Sequence, residues 1–184
     1  MLLDGINENE KIIIDKSLLL EALTPPSIGN APHFKGKSYQ VLEHIGDAVL
    51  KLILTEYIHE HPNLPNWFDE GYRTKLRSNA ENNKNLAKHF FILKFGKENS
   101  KNLKDITQAY LEGYSKYNST NSTNKKIPKY NVPKLNEKIC ADIYEAVIGA
   151  IFLTYKIESY DSAFYKIKLW IKPILDEIDE NLTD

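Results

Sequence analysis

Apolar residues recur at three- and four-residue spacings through most of the chain, and no run alternates in the manner of a strand. The segment 10–23, EKIIIDKSLLLEAL, carries helical spacing and is closed by Thr24-Pro25-Pro26-Ser27, so one helix stopped by the prolines is predicted there. A second helix is predicted over 39–58, apolar nearly all the way round and ending before the two prolines of HPNLPN. Residues 69–95 read as one helix or two, with Asp69 and Glu70 at the start. Residues 103–117 read as another. Segment 118–134, NSTNSTNKKIPKYNVPK, is the one low-complexity stretch and reads as a loop. A long apolar helix over 137–155 follows, and an amphipathic one over 161–179, bent at Pro173, closes the chain. The expectation is an all-α fold: a single domain over 1–184, with its core over about 12–178 and neither an internal repeat nor a second domain.

Two of these helices break their own pattern. At about 100° per residue, Glu43 and Asp47 share a stripe with Leu50, Leu54 and Ile58, while Leu42, Ile45, Val49 and Ile53 form a neighbouring stripe. From Ile139 to Leu153 the only charged residues are Asp142 and Glu145, three apart and again on one face. A carboxylate taken into a low-dielectric interior costs several kcal/mol unless it is compensated. One compensation is structural pairing, although neither helix offers a nearby arginine. The other is a divalent cation, since magnesium takes carboxylate oxygens and keeps waters that a substrate displaces. Two helices, each with an acid pair on its apolar face, favour the cation.

Composition narrows the classes. The 184 residues carry 24 basic and 25 acidic side chains, a formal net charge of -1. No chain-wide positive field draws in nucleic acid, so a phosphate partner has to be met by a local patch or by metal. The single cysteine, Cys140, excludes a disulfide framework and reads as a small core residue. The N-terminus lacks a signal-peptide pattern, and the longest apolar run, Ala146 to Leu153, falls far short of the ~20 residues that span a bilayer. An intracellular protein without a membrane partner is expected.

The acid-bearing segments also carry a resemblance. YQVLEHIGDAVL, residues 39–50, resembles the signature of the ribonuclease III family, Dicer-type nuclease domains included. KICADIYEAVIGAIFL, residues 138–153, is similar to that family's second acidic motif. Between them, DEGYRTKLRSNAENNKNLAKHF resembles its Glu-Gly, Leu-Arg, Asn and Leu-Ala segment, and LLLEALTPPS resembles a helix end upstream. Order and spacing agree over about 18–153.

The resemblance implies an all-α, homodimeric endonuclease-domain fold in which double-stranded RNA lies along a valley between two subunits. Each subunit would cut one strand, leaving 3′ overhangs. The family's four metal-binding acids map onto Glu43, Asp47, Asp142 and Glu145, holding magnesium, with manganese able to substitute. The metal would activate a water and stabilise the leaving oxygen. Lys138, one turn before Asp142, corresponds to a lysine that approaches the site in Dicer-type domains and joins the catalytic candidates. Glu70 and Asn83 match a supporting glutamate and asparagine.

Departures accompany the match. His44 stands where the family has an interface phenylalanine, Gln40 where an acid is frequent, and Pro25 where a histidine is usual. Nothing after residue 153 resembles the double-stranded-RNA-binding domain that bacterial members append. RNA affinity is then expected from the dimer valley, from a separate RNA-binding protein, or from Lys125, Lys126, Lys129 and Lys134 of the loop. The expected role is small-RNA production or RNA-precursor processing. The alternative is a catalytically silent, RNA-binding or structural subunit, and retention of all four acids favours the enzyme.

Overall fold

A computed structural model describes residues 2–4, 11–29, 37–64, 69–92, 94–95, 101–102, 105, 107–112 and 134–183. The chain runs β1 (Leu2–Asp4), β2 (Lys11–Ile13), α1 (Lys16–Ala22), α2 (Pro26–Gly29), α3 (Gln40–Glu60), α4 (Glu70–Glu81) and α5 (Asn83–Ile92). Then come β3 (Lys94–Phe95), β4 (Lys101–Asn102), the helical residues 107–112 (α6), α7 (Glu137–Tyr155), α8 (Tyr160–Trp170) and α9 (Lys172–Thr183). The all-α class holds. No helix among the described residues is long and apolar enough to cross a membrane.

Helix α7 is the axis of the core. Every residue from Cys140 to Ile151 is buried, and α1, α3, α5 and α8 pack around it. Two glycines set the closest approach. A Cβ on Gly46 of α3 would stand 1.8 Å from the Glu145 carbonyl oxygen, and one on Gly149 of α7 would stand 2.1 Å from the Leu42 carbonyl oxygen. The two backbones therefore touch where only a residue without a side chain fits. Leu42, Val49 and Ile53 on one stripe of α3 and Leu50, Leu54 and Ile58 on the next are all buried, as their spacing predicts.

Three expectations change. The predicted helix over 10–23 splits. Ile12 and Ile14 are buried while Ile13 is 54% exposed, a two-residue period suited to β-branched side chains, and Leu2, Leu3 and Asp4 pair antiparallel with Ile13, Ile12 and Lys11. Helix α1 begins only after Asp15, whose carboxylate accepts from the Ser17 and Leu18 amides. A second two-stranded ladder joins β3 to β4, so the expectation of no strands is corrected by these two short ladders. Helix α3 is not buried all round: Val41 is 64% exposed and Leu52 55%, and His44 and Ala48 between them are exposed.

Of the helix predicted over 103–117, residue 105 and residues 107–112 are described and helical, and the rest, with the loop at 118–133, lies outside the described residues. The segment predicted as helical over 69–95 forms two helices, α4 and α5, since the Asn82 side-chain oxygen accepts from the Asn85 amide at 2.9 Å and caps α5; it stops at Ile92, and Lys94–Phe95 belong to β3 instead. The closing segment breaks at Ile171, because Pro173 in the first turn of α9 clashes with a continuing helix and leaves no amide to donate. Cys140 is fully buried in the core.

Candidate metal centre

Helix α7 starts at Asn136, whose side chain accepts from the Ile139 amide at 2.9 Å. That start fixes the rotation of the helix, bringing Asp142 (5% exposed) and Glu145 (9% exposed) to the side that faces α3. Glu43, half-buried, meets them from the first turn of α3. One carboxylate oxygen from each of Glu43, Asp142 and Glu145 lies within 4.8 Å of the others.

The electrostatics are those of crowded anions. Burial, then the Asp47, Glu43 and Asp142 charges, push the Glu145 carboxyl up to about 8. Burial and Asp142 also raise Glu43. Tyr39, the residue before α3, makes no cap for that helix; its hydroxyl donates to Asp142 Oδ2 at 3.3 Å. Burial and the Asp142 charge keep that phenol protonated. An all-oxygen, partly buried, net negative group of this kind fits a hard divalent cation.

Asp47 stands apart from the three. It is half-buried on the same helix as Glu43, and its Oδ2 accepts from Lys51 Nζ at 2.8 Å, one turn along α3. Lys138 clamps Asp142 in the same i,i+4 manner, with Nζ 2.9 Å and 3.1 Å from the two carboxylate oxygens. The counter-ions are lysines on the acids' own helices.

Of the remaining candidates, Glu70 opens α4 at the end away from the acids and lines a separate cavity of about 400 Å³ with Thr55, His59, Arg73 and Arg77. Asn83 is exposed at the start of α5, where capping falls to Asn82. Lys134 is exposed just ahead of α7, whereas Lys125, Lys126 and Lys129 lie outside the described residues.

Sequence reasoning missed Tyr39, Lys51 and Glu81. Lys51 was readable from its four-residue spacing to Asp47. Glu81, at the end of α4, is 3.7 Å from Arg77, and burial raises its carboxyl despite that partner. The Lys51 and Asp47 charges also act on it, in opposite directions, so α4 brings a further carboxylate within electrostatic reach of that side of α3.

The ribonuclease III domain profile matches residues 40–156, which run from the start of α3 to just past α7 and so contain the whole acid group. The chain belongs to the ribonuclease III family. It is 30% identical over 175 residues to ribonuclease 3 of Oenococcus oeni, covering 94% of this chain and 63% of that protein. It is 30% identical over 171 residues to endoribonuclease Dicer homolog 4 of Oryza sativa subsp. japonica, covering 87% of this chain and 9% of that one. The chain thus spans less than two thirds of the length of these relatives. Among solved structures it resembles the nuclease domain of ribonuclease III from Campylobacter jejuni, described for structural flexibility in a region involved in dimer formation. That likeness has a TM-score of 0.51 and 26% identity, covering 86% of this chain and 87% of the other. In this ribonuclease III domain the acids Glu43 and Asp47 lie on α3 and Asp142 and Glu145 on α7, and the two helices touch at Gly46 and Gly149.

Proposed function

We propose that this ribonuclease III domain is a magnesium-dependent endoribonuclease that hydrolyses the phosphodiester backbone of double-stranded RNA. The observation that carries the reading is the convergence of Glu43, Asp142 and Glu145 oxygens within 4.8 Å on two helices, two of the three acids being buried. Uncompensated, that arrangement is destabilising; with a divalent ion it becomes a binding site. When bound, the ion lowers the pKa of a water and neutralises charge on the leaving oxygen. The chain's own part is to aim the carboxylates: Tyr39 and Lys138 hold Asp142, the α3–α7 contact holds Glu145 against Glu43, and Lys51 orients Asp47 at the rim. Manganese, with the same octahedral oxygen preference, is expected to substitute.

The active unit in this reading is a two-fold dimer. Val41, His44, Ala48 and Leu52 form one exposed stripe along α3, with Val41 and Leu52 more than half exposed. An isologous contact along this stripe covers that apolar surface on both copies at once. In this proposed dimer each acid group cuts one strand of the duplex, and staggered cuts leave 3′ overhangs. The roles that follow are small-RNA production or RNA-precursor processing.

The test is cleavage of a long double-stranded RNA with magnesium added or chelated, on wild type and on Glu145→Gln. Cleavage by wild type that stops on chelation, and its loss in the variant, is the expected result. Metal-independent cleavage overturns the mechanism, and RNA binding without cleavage by the wild type identifies a silent subunit instead.

A further inference from the structure

The carboxylates around the site fall into two groups with different compensation. With all of them ionised, Glu43, Asp142 and Glu145 carry three negative charges against the one positive charge of Lys138, which leaves the charge of a single divalent cation to be filled. Asp47 and Glu81 carry two negative charges, and Lys51 and Arg77 answer both: Lys51 Nζ sits 2.8 Å from Asp47 Oδ2, and Arg77 Nε 3.7 Å from Glu81 Oε1. Asp47 is also absent from the set of carboxylates whose oxygens converge within 4.8 Å. We propose that Lys51 is a tethered cation occupying the Asp47–Glu81 side of the site, so that the free domain holds one divalent ion, on Glu43, Asp142 and Glu145, where its five carboxylates would otherwise hold two.

The geometry supports this in three ways. Lys51 shares a helix with Asp47 at a four-residue spacing, so the ammonium reaches the carboxylate without strain and its local concentration far exceeds that of a free ion. The hydrogen bond to Asp47, and after it the charges of Asp47, Glu81 and Glu145, hold its ammonium protonated, so it answers acids from three helices. Its side chain is 47% exposed, so it is held there by the acids and not by packing.

The inference rests on the metal-binding reading above, and the experiment separates the two. Manganese is titrated into the metal-free domain without RNA, and bound ions are counted from the loss of the free-ion electron paramagnetic resonance signal. The expected result is one ion on wild type and two on Lys51→Gln, with the second lost again in Lys51→Gln/Glu81→Gln. Lys51→Arg is expected to keep the count at one. Thermal melts by circular dichroism check that each variant is folded; an exposed Lys→Gln change leaves the core untouched. One ion on both wild type and Lys51→Gln, or two on wild type, overturns the role of Lys51 while leaving the metal site standing. No ion on either overturns the metal site and this inference together.

Discussion

The missing side chain of Gly46 is filled by the backbone of Glu145: a Cβ there would meet the Glu145 carbonyl oxygen at 1.8 Å. Gly46 lies between Glu43 and Asp47, and Glu145 is itself an acid of the site. The contact that brings α3 against α7 is therefore the same contact that sets the distance between the carboxylates. Gly46→Ala is expected to destabilise the domain at or beyond the upper end of the ~1–3 kcal/mol typical of overpacking, since the opposing atom belongs to backbone and cannot rotate away. Urea denaturation measures the loss. A change below ~0.5 kcal/mol would show that the helices do not pack this closely.

Glu145→Gln keeps the shape and removes one charge from a crowded anionic group. The wild-type carboxyl is pushed up to about 8 in the fold, while its unfolded value is near the ordinary ~4.5, so the unfolded chain releases its proton first. Stability from this group is full below the unfolded value and falls as pH rises toward about 8. The metal-free variant is therefore expected to gain on wild type across that window, by a few kcal/mol at its upper end, and to bind manganese far more weakly. Paired melts from pH 5 to 9 in chelator check the first part and a manganese titration the second. A stability difference flat in pH would remove the crowding.

Tyr39→Phe deletes only the hydroxyl that donates to Asp142 Oδ2 at 3.3 Å. Lys138 continues to hold the same carboxylate, so the site loosens without collapsing. A phenol-to-carboxylate hydrogen bond stretched to 3.3 Å is worth ~1 kcal/mol, which predicts about a fivefold larger manganese dissociation constant with little change in melting temperature. Isothermal titration calorimetry gives the dissociation constants, and thermal melts give the stability, for comparison with wild type. An unchanged affinity would make Tyr39 a packing residue only.

His89 provides the acid limb of stability. It is 1% exposed on α5, packed near Tyr144, with Nε2 3.4 Å from Glu177 Oε2 of α9 and Lys88 beside it on the same glutamate. Burial holds the imidazole below its usual value, outweighing the opposing Glu177 charge. A depressed histidine contributes stability that is present above the unfolded value of about 6.5 and lost as pH falls below it. Chemical denaturation of wild type is expected to weaken between pH 6.5 and 5, and His89→Asn to show a shallower slope there whatever its absolute stability. Equal slopes would assign the acid limb to other groups.

Much of the site was legible because helical periodicity is a local property. Glu43 and Asp47 at a four-residue spacing, and Asp142 and Glu145 at three, had to share faces of their own helices, and those faces were apolar enough to be buried. The same periodicity misled at Ile12–Ile14, where three β-branched residues satisfy a helical count but Ile12 and Ile13 fold as a strand once Leu3 and Leu2 are there to pair with them.

What the sequence by itself determined is the set of acids, the helices that carry them and the family they belong to. What only the tertiary structure decided is how those acids are shared out. Glu43 joins Asp142 and Glu145, Asp47 goes to Lys51, and Glu81 comes from α4, where the sequence pointed to Glu70 instead. The reason is that spacing along a helix sets only the direction of a side chain about its own axis. Which side chains meet depends on where two helices cross, and here the crossing is set by Gly46 against Glu145 and Gly149 against Leu42, contacts between backbones more than ninety residues apart in the chain.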